Sequence, residues 1–365
     1  MKYYRLDNLD KENATYSMAI GERSNGKTYA VLERILDNYL KSGLTNQGAI
    51  IRRWAEDIKS YRGQVMFNAL LQNGKLINTI WTGIDYKSRA WWLYYDDEKL
   101  NKRIYDKTPF CYAFCLSEQE HEKSVSYPNI TTVLFDEFLT RKTYLPDEFI
   151  LFMNVLSTII RERDNVKIYM LANTVSKNSP YFTEMGINHI DKLKQGTITI
   201  YKYGDSDLKV ALEYCDNYKR NRKKSDKYFA FDNDKLKMIT GGAWEVGVYN
   251  RLPIKYKPKD IIFIYFIKWE NKIIQCEIVE KDNNLFTYCH FKTTSLKENS
   301  NDIIYSCEPS PSINWKRNII KDNSKISKKI MEFFSKDLVY YQNAECGETV
   351  RYYLQYCTQY NIIKS

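Results

Sequence analysis

Gly21-Glu22-Arg23-Ser24-Asn25-Gly26-Lys27-Thr28 fills every fixed position of the pattern G-x-x-x-x-G-K-[ST]. Such a loop wraps phosphate. Its backbone N–H groups and the following helix N-terminus surround the anion, the lysine ammonium reaches the β- and γ-phosphate oxygens, and the hydroxyl binds Mg²⁺. The flanking sequence agrees with this chemistry. Tyr16 to Ile20 is an apolar, strand-length run before the loop. After it, Tyr29 to Leu40 gathers Val31, Leu32, Ile35, Leu36, Tyr39 and Leu40 on one side, and Glu33, Arg34, Asp37 and Asn38 on the other, as an amphipathic helix does. Strand, phosphate loop and helix in this order predict nucleotide binding by an α/β domain, with ATP and Mg²⁺ as cofactors and the whole run from Gly21 to Thr28 as the binding element.

Further along the chain, Ala49 to Ile51, Phe110 to Leu116, Thr131 to Phe135 and Lys167 to Ala172 read as short buried strands. Phe149 to Ile160 reads as a second apolar helix. Strands alternating with helices predict a parallel sheet covered on both faces. Ligands of such sheets bind at the carboxyl ends of the strands. Thr131 to Phe135 delivers Asp136 and Glu137 to that edge. Asp136 is placed to hold the magnesium shell, and Glu137, on the opposite side of the strand, to act as base on an attacking water. Lys167 to Ala172 ends in Asn173, a polar group for the γ-phosphate if this strand lies between the phosphate-loop strand and the acidic one. The fold expected is therefore a P-loop NTPase of the additional-strand, catalytic-glutamate type.

Composition narrows the classes. The 365 residues are 44% hydrophobic and 27% charged, with 14 Gly and 8 Pro, which excludes disordered, collagenous and low-complexity chains. Lys and Arg exceed Asp and Glu by 55 to 45, a charge of +10 that favours a polyanionic partner. No apolar run reaches the ~18 to 20 residues of a membrane span, and the opening MKYYRLDNLDKEN is too polar for a secretory signal. A cytoplasmic setting with reduced thiols is expected. The eight Cys contain no CxxC pair and the three His stand apart from them, so the Cys read as small apolar fillers and not as zinc ligands.

The organisation changes after residue 215. Asp216 to Lys227 carries six basic and no aliphatic residues, and residues 216–230 read as a basic linker. Residues 231–365 read as a smaller β-rich domain. In it, Asp260 to Glu280 and Asn284 to Thr293 suggest antiparallel hairpins turning at Glu270-Asn271 and Lys281 to Asn284, and Lys328 to Ser335 and Glu348 to Gln359 look helical. Residues 1–215 form the ATPase domain in this reading.

With these motifs assembled, the chain resembles the DNA-encapsidation ATPases of small protein-primed podophages of the Picovirinae type. The resemblance is carried by Ile20-Gly21 to Tyr29-Ala30, Ile51-Arg52-Arg53, Glu122-Lys123-Ser124, Tyr127-Pro128-Asn129 leading into Phe135-Asp136-Glu137-Phe138, Arg161-x-Arg163, and Ala172-Asn173-Thr174-Val175 running to Asn178-x-Pro180-Tyr181-Phe182. It implies a ring ATPase, a pentamer at the portal of an empty prohead in the host cytoplasm, that drives double-stranded DNA inward, with an RNA scaffold left open. It further implies that Arg161 is an arginine finger acting on the neighbouring subunit, and that Lys123 is a second basic group acting in trans. Ala55 stands where a basic DNA contact would be sought, which passes phosphate gripping to Lys59 or Arg62. Lys142 is a candidate pore residue. The resemblance also implies a ribonuclease-H-like, non-catalytic C-terminal domain that contacts DNA or portal, with Lys255, Lys257 and Lys259 as candidates. Two other readings stand beside the motor: a different nucleic-acid ATPase such as a helicase or replication factor, and a nucleotide-controlled interaction module.

Overall fold

A computed structural model describes residues 4–118, 125–142, 144–216, 244, 247–252, 254–296, 301–309 and 312–359. Two compact units divide at about residue 245. That division falls later than the boundary expected near 215 to 231. Trp244 belongs to the first unit, where its ring lies 6.2 Å from that of Tyr214 and packs against the core. Of the stretch expected as a linker, 216–230, residues 217–230 lie outside the described residues, as do 231–243.

In the first unit the elements follow in the order α1 (Asp7–Lys11), β1 (Tyr16–Gly21), α2 (Lys27–Lys41), β2 (Gln47–Arg52), α3 (Ser60–Val65), α4 (Asn68–Gln72), β3 (Gly83–Lys87), β4 (Ala90–Asp97), β5 (Lys102–Tyr105), β6 (Cys111–Cys115), β7 (Ile130–Asp136), α5 (Glu148–Ile160), β8 (Lys167–Asn173), α6 (Pro180–Glu184), β9 (Thr197–Lys202) and β10 (Lys209–Tyr214). The sheet runs β3-β4-β6-β2-β7-β8-β1-β10-β9, with β5 on β4. Its centre, β6-β2-β7-β8-β1-β10, is parallel, and its borders are antiparallel.

Alternation along each central strand feeds two cores. Ala19, Ile50, Leu134 and Tyr169 face one layer with Val31, Ile35, Leu36 and Tyr39 of α2. Ile20, Ile51, Phe135 and Met170 face the other, with Phe152, Val155, Leu156 and Ile159 of α5. These strands therefore carry apolar side chains on both faces, as buried parallel strands must. Strands β3 to β5, β9 and β10 were not anticipated from the sequence.

The second unit contains β11 (Ile261–Trp269), β12 (Lys272–Lys281), β13 (Asn284–Phe291), β14 (Ile304–Ser306), β15 (Trp315–Lys316), α7 (Lys325–Ser335), β16 (Val339–Tyr341) and α8 (Ala344–Gln359). Its sheet order is β15-β14-β11-β12-β13-β16. The hairpins β11-β12 and β12-β13 are antiparallel, while β14, β15 and β16 pair in parallel. Ile330 and Phe333 of α7 and Val350 and Tyr353 of α8 pack with Tyr265, Ile267, Cys276 and Cys289 of the sheet. The eight cysteines are thiols, all but Cys307 buried. Among the described residues no helix is long and apolar enough to cross a membrane.

Candidate nucleotide site

The phosphate loop joins the end of β1 to the first turn of α2. Gly26 caps the helix with φ of 99°, a left-handed conformation that side chains resist. Gly21 is a glycine for another reason. A Cβ there would stand 2.9 Å from Cβ of Cys215, at the end of the neighbouring β10. Within the loop, Asn25 Oδ1 accepts from both the backbone N–H and Nζ of Lys27 at 3.2 Å, and the Glu22 carbonyl accepts from Lys27 Nζ at 2.8 Å. Lys27 is buried. Burial pushes its ammonium below the ordinary lysine value, against the pull of Cys215, Asp136, Glu22 and Glu213. An ammonium held this way gains by meeting an anion.

β8 lies between β1 and β7, with Gly21 opposite Asn173 in register. The amide of Thr174 donates to the Gly21 carbonyl at 3.2 Å, which fixes the tip of β8 beside the phosphate loop. From β7, Asp136 reaches back to α2: the Thr28 hydroxyl donates at 3.2 Å to Oδ1. Asp136 is buried, Glu137 turns out of the strand with φ of 61°, and its side chain is 61% exposed. Burial raises the Asp136 pKa, Arg52 opposes the rise, and Glu137 adds to it. Arg52, at the end of β2, pairs with both acids, at 3.3 Å to Asp136 and 3.0 Å to Glu137. Its Nε is buried with no hydrogen-bond partner.

The structure thus brings together the loop from Gly21 to Thr28, Asp136, Glu137 and Asn173. Thr28 and Asp136 offer the oxygen ligands Mg²⁺ takes, and Lys27 with the helix N-terminus offers donors to phosphate, so the residues present fit both groups. Arg161 lies elsewhere. It caps the far end of α5 with φ of 41°, and its Nη2 donates to the Val125 carbonyl at 2.9 Å. Next to it Arg163 is tied to the carbonyls of Tyr127, Ile159, Ile160 and Ile130, the first residue of β7. Lys123 lies outside the described residues. Lys59 pairs with Glu118 at 3.1 Å and Arg62 with Asp57 at 3.4 Å, both at the surface, while Lys142 is exposed beyond the acidic turn.

Sequence reading gave no role to the groups behind the acids. Arg53 binds Glu148 at 2.7 Å and the carbonyls of Glu137 and Phe138 at 3.1 and 2.8 Å. Glu148 also accepts from the Tyr181 hydroxyl at 2.6 Å. A carboxylate opening an otherwise apolar helix was the signal, because a buried acid needs partners. Glu213 was missed too. It lies buried beside the loop, raised by desolvation, and accepts from Tyr4 at 2.6 Å.

The DNA packaging protein of Bacillus phage phi29 is 28% identical over 187 residues, which is 49% of this chain and 49% of that protein. That of Bacillus phage B103 is 28% identical over 174 residues, 47% and 48% respectively. The chain spans about half the length of these curated relatives. Among solved structures, the bacteriophage Phi-29 viral genome packaging motor assembly is 18% identical, with coverage of 99% of this chain and 98% of that one and a TM-score of 0.55. The Phi-28 gp11 DNA packaging motor gives 18% identity, 98% coverage of each and a TM-score of 0.54. Both likenesses concern the fold. A family model, Podovirus DNA encapsidation protein (Gp16), matches residues 1–354, and this chain belongs to that family.

Proposed function

We propose that this protein hydrolyses ATP to drive double-stranded DNA into a preformed prohead, working as a ring of identical subunits, five in number, at the portal in the host cytoplasm. One observation supports the ATPase reading: in the strand order, Lys27, Thr28, Asp136, Glu137 and Asn173 come from neighbouring elements at one edge of the sheet. That order is the one expected of the additional-strand, catalytic-glutamate class of P-loop ATPases.

In this mechanism the N–H groups from Gly21 to Thr28 hold the phosphates, and Lys27 releases its loop oxygens to meet the terminal ones. Thr28 and Asp136 would hold Mg²⁺, which would supply neutralisation of phosphate charge. Glu137 takes the proton of the attacking water, and Asn173 contacts the γ-phosphate. Arg161 supports the ring reading by its distance from its own site. The seven residues of β7 separate its ends by roughly 20 Å, with Asp136 at one end and the Arg163 contact to Ile130 at the other. From there we read Arg161 as serving a neighbour's nucleotide, with Lys123 as a second group in trans. Lys59 and Arg62, whose exposed ion pairs are worth little and exchange readily, and the exposed Lys142 would contact DNA phosphates.

For the second unit we propose a ribonuclease-H-like fold without nuclease activity. The meander β11-β12-β13 with β14 and then β15 added in parallel beyond β11 supports the fold. β11 carries no acid, and among the described residues no group of three His, Cys, Asp or Glu side chains could hold a metal.

Turnover by wild type, Lys27→Ala and Glu137→Gln tests the site, and equal rates would sink it. Packaging with purified proheads, portal and ATP tests the motor. DNA that stays nuclease-sensitive there, with ATP consumed, would point to a helicase or replication factor instead.

A further inference from the structure

The network behind the acidic turn is unused by the mechanism above. The Arg53 and Glu148 side chains are 7% and 0% exposed, so the pair is taken out of water. A buried Arg–Glu pair adds little stability over apolar residues of similar size, which directs attention to what it holds in place. All three guanidinium nitrogens are committed: Nε to Glu148, Nη1 to the Glu137 carbonyl and Nη2 to the Phe138 carbonyl. The ring of Tyr144 lies 5.0 Å from the guanidinium carbon. Glu148 is itself fixed by the Tyr181 hydroxyl at 2.6 Å and the Leu145 amide at 2.8 Å. The two carbonyls gripped by Arg53 belong to the turn where Glu137 adopts its left-handed φ of 61°, a conformation costly for a side-chain-bearing residue.

We propose that Arg53 is a positioning residue for Glu137. Its planar fork holds the carbonyls of 137 and 138 toward the core. With the backbone held in this way, the Glu137 carboxylate faces the open edge, where Arg52 bridges it to Asp136. Glu148 and Tyr181 keep the fork from rotating. Lysine cannot substitute, because one ammonium does not span a carboxylate and two carbonyls in a plane. The proposal rests on the reading of Glu137 as the base.

The test compares Arg53→Lys, the paired apolar replacement Arg53→Met with Glu148→Leu, Glu137→Gln, and Arg53→Lys combined with Glu137→Gln. Each is measured for ATP turnover, affinity for a fluorescent ATP analogue with Mg²⁺, melting temperature, and hydrogen exchange at the Phe138 amide, which donates to Leu171 at 3.2 Å. Arg53→Lys is expected to lower kcat about 100-fold, the loss typical of a misplaced catalytic group. KM and analogue affinity should stay within about twofold, and exchange at Phe138 should accelerate. In the combined variant, Arg53→Lys should add nothing to the Glu137→Gln loss, since residues acting as one unit are not additive. Multiplying losses, or analogue affinity falling in step with kcat, would overturn the proposal. So would an apolar replacement that turns over at the wild-type rate, or both Arg53 variants failing to fold, which would make the network structural. If Glu137→Gln alone keeps the wild-type rate, the base assignment fails instead.

Discussion

The Thr28 hydroxyl and the Asp136 carboxylate, 108 residues apart in sequence, meet at 3.2 Å across the phosphate-binding edge. They satisfy each other at the position proposed for the metal. Burial raises the Asp136 pKa, so in the nucleotide-free protein its stability contribution is full below the ordinary aspartate value near 4 and is lost as pH rises through the raised folded value. Asp136→Asn is expected to flatten this slope and to melt above the wild type at pH 7, while losing Mg²⁺-dependent nucleotide affinity. Calorimetry between pH 4 and 7.5 decides it; a variant as steep as the wild type would contradict the account.

Gly21→Ala should destabilise by about 1 to 3 kcal/mol, as overpacking does in tight sites, because the new methyl would meet Cys215 Cβ at 2.9 Å. Cys215→Gly in the same chain removes the obstructing atom and should restore most of the stability and of the nucleotide affinity. Urea denaturation of the single and double variants measures the rescue, and no rescue would place the clash elsewhere.

Arg161→Ala should reduce ATP turnover by 10³ or more, the lower end for an arginine finger, with folding unchanged because its side chain is exposed and donates to one carbonyl, that of Val125. Mixed with wild type, the variant should depress activity by more than its share of subunits. Loss in simple proportion would argue for action within one chain.

In the second unit, Glu277 Oε1 lies 3.2 Å from His290 Nε2. Glu277 lies below its ordinary value, where the hydrogen bonds from His290, Tyr256 and Gln275 outweigh burial, and the bond to Glu277 raises His290 against burial. The carboxylate contribution is lost as pH falls below 4.5, and the imidazolium contribution as pH rises past 6.5 through its raised value. His290→Gln should abolish the alkaline loss and shrink the acid limb, which the hydrogen bonds from Tyr256 and Gln275 still support. Hydrogen exchange at β12 and β13 in the full chain, followed from pH 4 to 8, reads both limbs.

How much of this was legible follows the range of the interactions. The phosphate loop could be read because its spacing is set by the anion it binds, and the apolar strands around Ile50, Val133 and Met170 because both their faces are buried. The place of Asn173 followed from the acidic pair. By contrast β10 hides in Lys209 to Tyr214, whose Glu213 looks like a surface residue until Tyr4, 209 residues away, supplies its partner. The Arg53 network joins residues 95 and 33 positions apart, and no local pattern announces it. Lys59 and Arg62 read as candidate contacts to DNA phosphate, and the fold gives each an acidic neighbour, Glu118 and Asp57.

The sheet's border strands have a bearing on handling the isolated protein. β3 and β9 are five and six residues long, and each ends in a lysine, Lys87 and Lys202. Short, charged borders discourage strand-by-strand polymerisation between molecules. Concentrated preparations should therefore resist fibre growth from these margins.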